Sequence, residues 1–348
     1  MSKKFSPIQF QNGTLTLIDQ RKLPLEEIFI DYTDLEGGFS GIQDMVVRGA
    51  PCIGFTAIYT MALWINNHKD FSLEDIKKAG NKLKEARPTA VNLNFEIDRV
   101  IDLVKKCKDE GSDPYDAVVQ FGDLQISESE VKNRSMAVHA ENDLDKILGK
   151  DKYRILTHCN TGFLACGSIG TALGVVQNLG EKDKVERVWV DETRPYLQGA
   201  RLTAYELVKL GIEHRVVVEG AASYLMKNKL VDAIFTGADR IVANGDTANK
   251  VGTSNLAILA KHYGIPFYIV APSSSFDLSI DSGAGIDIEL RPEEEILCYK
   301  DYRIAPNESR AFNPSFDITD GELITGIISE NGIAKGDYKK TLQGIVKL

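Results

Sequence analysis

From Tyr153 onward the chain alternates short apolar runs with amphipathic stretches, and this alternation narrows the fold more than any other feature of the sequence. Residues 154–158, 188–190, 215–218, 233–236 and 266–270 read as strands. Residues 168–178, 198–210 and 247–264 read as helices, the last with Leu256, Leu259, Ala260 and Tyr263 on one face. Strands that alternate with helices form a parallel sheet covered on both faces, the α/β class. In such sheets ligands bind beyond the carboxyl ends of the strands, so the residues just after each strand carry the functional information.

The first part of the chain reads as a smaller α+β region. Residues 8–11 and 14–19 flank Asn12-Gly13, a pair that accepts the positive φ angles of a tight β-hairpin. A helix follows over 94–110, with Ile97, Val100, Ile101, Val104 and Cys107 on one face. The polar stretch 108–114 ends it. These patterns place a small α+β domain at 1–120 and a larger α/β domain at 121–348, with a mostly polar helix over 127–148.

Composition excludes several classes. Lys+Arg is 41 against 50 for Asp+Glu, a net charge of −9, which disfavours general binding to nucleic acid or an anionic membrane. The five cysteines show no CxxC spacing, which argues against a disulfide framework or a zinc ribbon and for a reducing compartment. Residues 50–64 are the most apolar run, too short to span a bilayer comfortably and interrupted by Pro51. No apolar signal core follows the N-terminus, so the expected location is cytoplasmic. His68, His139, His214 and His262 have no mutual spacing that suggests a metal site. No dinucleotide fingerprint, phosphate-binding P-loop, HExxH or GxSxG is present.

The expected strand ends carry the candidate chemistry. Cys159-Asn160-Thr161-Gly162 follows the first strand, and Cys159 is either a reactive thiol or a small buried hydrophobe. Gly237-Ala238-Asp239-Arg240 follows another, and Asp239 is either a general acid–base or a loop carboxylate paired with Arg240. Asn244 to Lys250 reads as a turn entering a helix capped by Asp246 or Thr247, where N–H groups and Lys250 would offer an anion site. Polar residues crowd Asp191 to Pro195, and Gln198-Gly199 opens the next helix. Arg48-Gly49-Ala50-Pro51 and Arg87-Pro88-Thr89 each set an arginine beside small or rigid residues, suited to a phosphate or to a structural ion pair. His158 either tunes its neighbour Cys159 or points to the opposite face, as successive strand residues do.

These segments, taken in order, resemble the methylthioribose-1-phosphate isomerase family, which is related to the regulatory subunits of the guanine-nucleotide exchange factor for translation initiation. The resemblance runs from Arg48 to Ile333 and includes Thr157-His158-Cys159-Asn160, Glu192-Thr193-Arg194-Pro195, Gly237-Ala238-Asp239-Arg240-Ile241, Asn249-Lys250-Val251-Gly252-Thr253 and Asn313-Pro314-Ser315-Phe316-Asp317. Cys52, Cys166 and Ser254 stand where the family more usually has Ala, Thr and Tyr. The resemblance implies a Rossmann-like C-terminal domain, a homodimer, no metal or organic cofactor, and a sugar-phosphate substrate. It implies that Cys159 and Asp239 are the catalytic pair and that Arg48, Gly49, Ala50, Arg87, Gln198, Asn249 and Lys250 bind substrate. The reaction implied is conversion of 5-methylthioribose 1-phosphate to 5-methylthioribulose 1-phosphate in methionine salvage. Alternatives are a sister isomerase for 5-deoxyribose 1-phosphate or ribose 1,5-bisphosphate, a thiol-dependent transferase or hydrolase, and a non-enzymatic regulatory subunit.

Overall fold

The computed structural model describes residues 5–87, 91–299 and 301–346. They fall into two compact units. One comprises the residues up to Val131 together with Gly162–Gly170; the other comprises Lys132–Thr161 and Thr171 onward. Pro88, Thr89 and Ala90 of the Arg87 motif lie outside the described residues.

The first unit is α+β. Strands Ile8–Gln11, Thr14–Ile18 and Phe29–Tyr32 form an antiparallel sheet, and Gln11 pairs with Thr14 across the turn. Asn12 and Gly13 take φ +51° and +71°, the left-handed geometry expected of that turn. The apolar run becomes the helix Ala50–Asn67, in which every residue from Cys52 to Ile65 is buried. A helix apolar on all sides is the centre of a core. The helix Val91–Glu110 packs on it, with Ile97, Val100, Val104 and Cys107 buried as their spacing predicts. The expected polar helix begins earlier than read, at Pro114, and runs to Leu148. Residue 120 therefore lies inside a helix.

The second unit holds a seven-stranded sheet. Its order is Gly332–Ala334, Gly326–Ser329, Phe267–Val270, Ala233–Thr236, Tyr153–Thr157, Val185–Asp191, His214–Val217. Only Gly332–Ala334 is antiparallel to its neighbour. Successive residues feed opposite cores. Ile155, Phe235, Tyr268 and Ile328 face one, with the helix Ala172–Glu181 and the later part of Pro114–Leu148. Leu156, Ile234, Ile269 and Ile327 face the other, with the helices Ala222–Lys227 and Thr253–Tyr263. Burial on both faces explains why these strands read as unbroken apolar runs.

The strand order reverses at its centre. From Tyr153–Thr157 the chain steps outward to Val185–Asp191 and His214–Val217, then returns to Ala233–Thr236 on the opposite side. Such a reversal opens a crevice at the carboxyl ends of the two diverging strands.

Candidate functional site

Cys159 and Asp239 follow the two strands that flank this reversal. Cys159 is partly exposed, whereas Cys52, Cys107 and Cys166 are buried. It takes φ +60°, and Thr193 and Leu197 take +63° and +59°. Each is a costly conformation for a residue with a Cβ, and such strain gathers where function holds it in place. Two threonines hold Cys159. Its N–H donates to Thr193 Oγ1 at 2.8 Å, and its carbonyl accepts from Thr203 Oγ1 at 2.6 Å.

Thr203 closes a turn of π-helix, Gly199–Thr203, that begins just after Gln198 and leads into the α-helix Ala204–Leu210. The expected helix over 198–210 therefore opens in π geometry, a feature common at functional sites. Gly199 is pressed against the preceding strand, and a Cβ built there would lie 1.6 Å from the Asp191 carbonyl oxygen. Gln198 itself is buried.

Asp239 is exposed at the start of a second sheet, and its N–H donates to the Ala248 carbonyl at 2.9 Å. In that sheet Arg240–Val242 pairs with Thr247–Lys250, which pairs with Phe316–Thr319. Arg240 reaches Asp277 at 3.8 Å. This region corrects the sequence reading. Residues 247–250 are a strand, not the first turn of a helix, because they are paired on both edges. The helix starts at Thr253, and its leading N–H groups are already taken. Gly252 N–H donates to Asp317 Oδ2 at 2.7 Å and Ser254 N–H to Oδ1 at 3.1 Å. These two N–H groups at the helix N-terminus are thus occupied by the protein's own carboxylate. Lys250 remains beside the strand end, with Nζ donating to the Ser315 carbonyl at 2.7 Å and lying 4.5 Å from the Phe316 ring centre. Asn249 is buried and donates to Thr253 Oγ1 at 2.9 Å.

Five of the nine candidate residues (Cys159, Gln198, Asp239, Asn249 and Lys250) thus belong to the second unit, at or near the carboxyl side of its sheet. Arg48, Gly49, Ala50 and Arg87 belong to the first. There Gly49 caps the helix Ala50–Asn67 and abuts the backbone of Ala165. Sequence reasoning gives no individual role to His158, Asp191 or Thr193, although it marks the polar crowding from Asp191 to Pro195. The structure buries His158 against Asp191, at 3.3 Å. The signals that pointed to them were the adjacency of His158 to Cys159 and the density of polar groups after Asp191. Among the described residues, no cluster of His, Cys, Asp and Glu forms a metal site, and no helix is long and apolar enough to cross a membrane.

A family model described as the initiation factor 2 subunit family matches residues 46–336. A methylthioribose-1-phosphate isomerase from Caldicellulosiruptor saccharolyticus is 42% identical over 337 residues, covering 96% of this chain and 97% of the relative. The chain belongs to the methylthioribose-1-phosphate isomerase family. A crystal structure of 5-methylthioribose 1-phosphate isomerase from Pyrococcus horikoshii matches this family member with a TM-score of 0.91 at 38% identity, over 99% of this chain and 96% of the other. A structure described as translation initiation factor eIF-2B, subunit delta, from A. fulgidus matches with a TM-score of 0.89 at 34% identity, over 99% and 100% of the two chains.

Proposed function

We infer that this chain is an aldose–ketose isomerase that converts 5-methylthioribose 1-phosphate to 5-methylthioribulose 1-phosphate in methionine salvage. The observation that carries the reading is a partly exposed cysteine and an exposed aspartate, Cys159 and Asp239, just after the two strands that flank the sheet reversal, in a chain 42% identical over its length to a named isomerase.

The chemistry accounts for the residue types. The phosphate on C1 prevents the sugar from opening as a free hemiacetal. Asp239 donates a proton to the ring oxygen as the bond to C1 breaks, which leaves C1 an oxocarbenium carbon with the phosphate attached. Cys159, as thiolate, takes the C2 proton to give an enol, then returns it to C1. The C2 hydroxyl proton goes to Asp239, which restores the acid. Direct hydride transfer from C2 to C1 satisfies the same balance without the thiolate as base. Arg48, Gly49, Ala50, Arg87, Gln198, Asn249 and Lys250 bind the substrate, chiefly through its phosphate, so that it anchors and does not leave. In this reading the chain comprises a small domain, 1–120, and a catalytic domain, 121–348. The enzyme works in the cytoplasm as a homodimer and needs no metal or organic cofactor.

The test is an NMR assay with 5-methylthioribose 1-phosphate in deuterated water. Wild type is expected to form the ketose phosphate, and Cys159→Ser and Asp239→Asn to lose about 10²–10⁴-fold in rate. Deuterium at C1 supports the proton route. Folded wild type that forms no product sinks the substrate assignment, and the two alternative pentose phosphates are then assayed. A second reading draws support from the likeness to the A. fulgidus structure: a regulatory subunit of a translation-factor assembly. It predicts no turnover of any of the three sugars.

A further inference from the structure

His158 takes no part in the chemistry above, yet its ring is completely buried. Nε2 lies 2.9 Å from the Val251 carbonyl oxygen. A carbonyl only accepts, so Nε2 carries a hydrogen. Nδ1 lies 3.3 Å from Asp191 Oδ2 and 4.0 Å from Glu219 Oε1. With Nε2 protonated, a bare Nδ1 would turn its lone pair toward carboxylate oxygens, and a proton between Nδ1 and Asp191 replaces that repulsion with a charge-assisted hydrogen bond. Burial opposes a charged ring, but Asp191, Glu219 and the Val251 carbonyl outweigh it, so His158 keeps its proton above the usual imidazole range. Burial likewise pushes the carboxyls of Asp191, Glu219 and Asp317 up, against the pull of the ring. Asp191 and Glu219 act on the ring directly, and Asp317 feels its charge.

The packing is equally specific. Gly252 takes φ +103°, and a Cβ there would lie 2.8 Å from His158 Cε1 and 2.6 Å from Glu219 Oε1. The ring thus joins three segments. One is its own strand end, which presents Cys159. The second is Asp191, whose carbonyl accepts from the same Thr193 hydroxyl that receives the Cys159 N–H. The third is Val251, the residue after Lys250.

We propose that His158 is a positioning residue, a buried and doubly protonated imidazolium that locks Cys159, the Asp191–Thr193 segment and the Lys250–Gly252 turn into one frame. The positioning role rests on the isomerase reading; the state of the ring does not.

The ring is read first, on wild-type protein labelled with ¹⁵N-histidine, by two-bond ¹H–¹⁵N correlation between about pH 6 and about pH 8.5. Both ring nitrogens of His158 are expected to stay protonated throughout. A neutral ring with a bare Nδ1 at about pH 7 overturns the proposal. His158→Gln keeps an amide within reach of Val251 and loses the bond to Asp191; Asp191→Asn removes the counter-charge and carries the test if the first variant fails to fold. In the folded variant, kcat is expected to fall about tenfold or more with KM within about threefold. Alkylation of the Cys159 peptide by iodoacetamide, followed by mass spectrometry, is expected to move its midpoint to higher pH, because a cation on the preceding residue favours the thiolate and the variant loses it. A folded variant with kcat within about twofold of wild type and an unmoved alkylation midpoint overturns the positioning role. If wild type fails to isomerise the sugar, the isomerase reading fails, while the ring spectrum and the alkylation profile still judge the imidazolium.

Discussion

The Thr193 hydroxyl accepts the Cys159 N–H at 2.8 Å and donates to the Asp191 carbonyl at 2.9 Å. It is the peg that keeps a strained cysteine at φ +60°. Thr193→Val keeps the shape and removes both bonds. We expect a loss of about 1–3 kcal/mol in urea unfolding and about a tenfold drop in kcat, read by melts and steady-state kinetics on the same preparation. Asp232 makes a contrasting case at the opposite end of the sheet. Burial would raise its carboxyl, but Arg154 at 2.9 Å and Lys150 at 2.6 Å hold it below the usual carboxylate range. A depressed folded-state pKa contributes stability that is complete above the unfolded value of about 3.9 and is lost as pH falls through the folded one. Asp232→Asn should therefore cost about 2–3 kcal/mol at neutral pH, leave kcat unchanged, and converge with wild type in acid, as urea unfolding at several pH values will show. Cys159 and Asp239 were legible as candidates because a thiol and a carboxylate followed apolar runs. His158 was not, because strand alternation says which way a side chain points and not what it meets there.

The elements that sequence misjudged are those in which local pattern and tertiary pairing disagree. Residues 247–250 continue the helical face of Leu256 and Ala260 backward, so periodicity alone extends the helix. Ladder bonds to both neighbouring strands and the left-handed Gly252 override it. The strands Gly326–Ser329 and Gly332–Ala334 went unread because each is short and opens on glycine, which weakens a strand signal. The central strands were legible because burial on both faces requires apolar residues at every position. The π turn has no periodic signature, yet its steric demand is sharp. Gly199→Ala drives a Cβ into the Asp191 carbonyl and must move either the turn or the strand. We expect that variant to lose nearly all activity and several degrees of melting temperature. Gly344→Ala, with nothing within 4 Å of the new Cβ, should match wild type in both. Parallel kinetics and differential scanning calorimetry decide it.

At the scale of the whole molecule, composition shifts suggested two parts but not how the chain shares itself between them. The helix Pro114–Leu148 carries the chain from one unit to the other without a linker, so no polar or glycine-rich seam marks the passage. The return of Gly162–Gly170 to the first unit is likewise silent in sequence, since Phe163, Leu164, Ala165 and Cys166 are simply buried apolar residues. They matter there. Gln20 donates to the Leu164 carbonyl at 2.9 Å, and Phe163 packs on Phe5 with ring centres 5.1 Å apart. A fragment ending at Val131 lacks this segment, and we expect it to give the poorly dispersed ¹H–¹⁵N spectrum of a loose core, whereas the full chain gives a dispersed one. A cooperative, well-dispersed fragment would refute this. The same excursion limits how relatives can exchange parts. A chimaera that swaps everything before residue 132 leaves one parent's Gly162–Gly170 inside the other parent's core. Viable recombination must carry both pieces together, and the second begins three residues after Cys159, so inheritance of the small unit is tied to inheritance of the chain that leads into it.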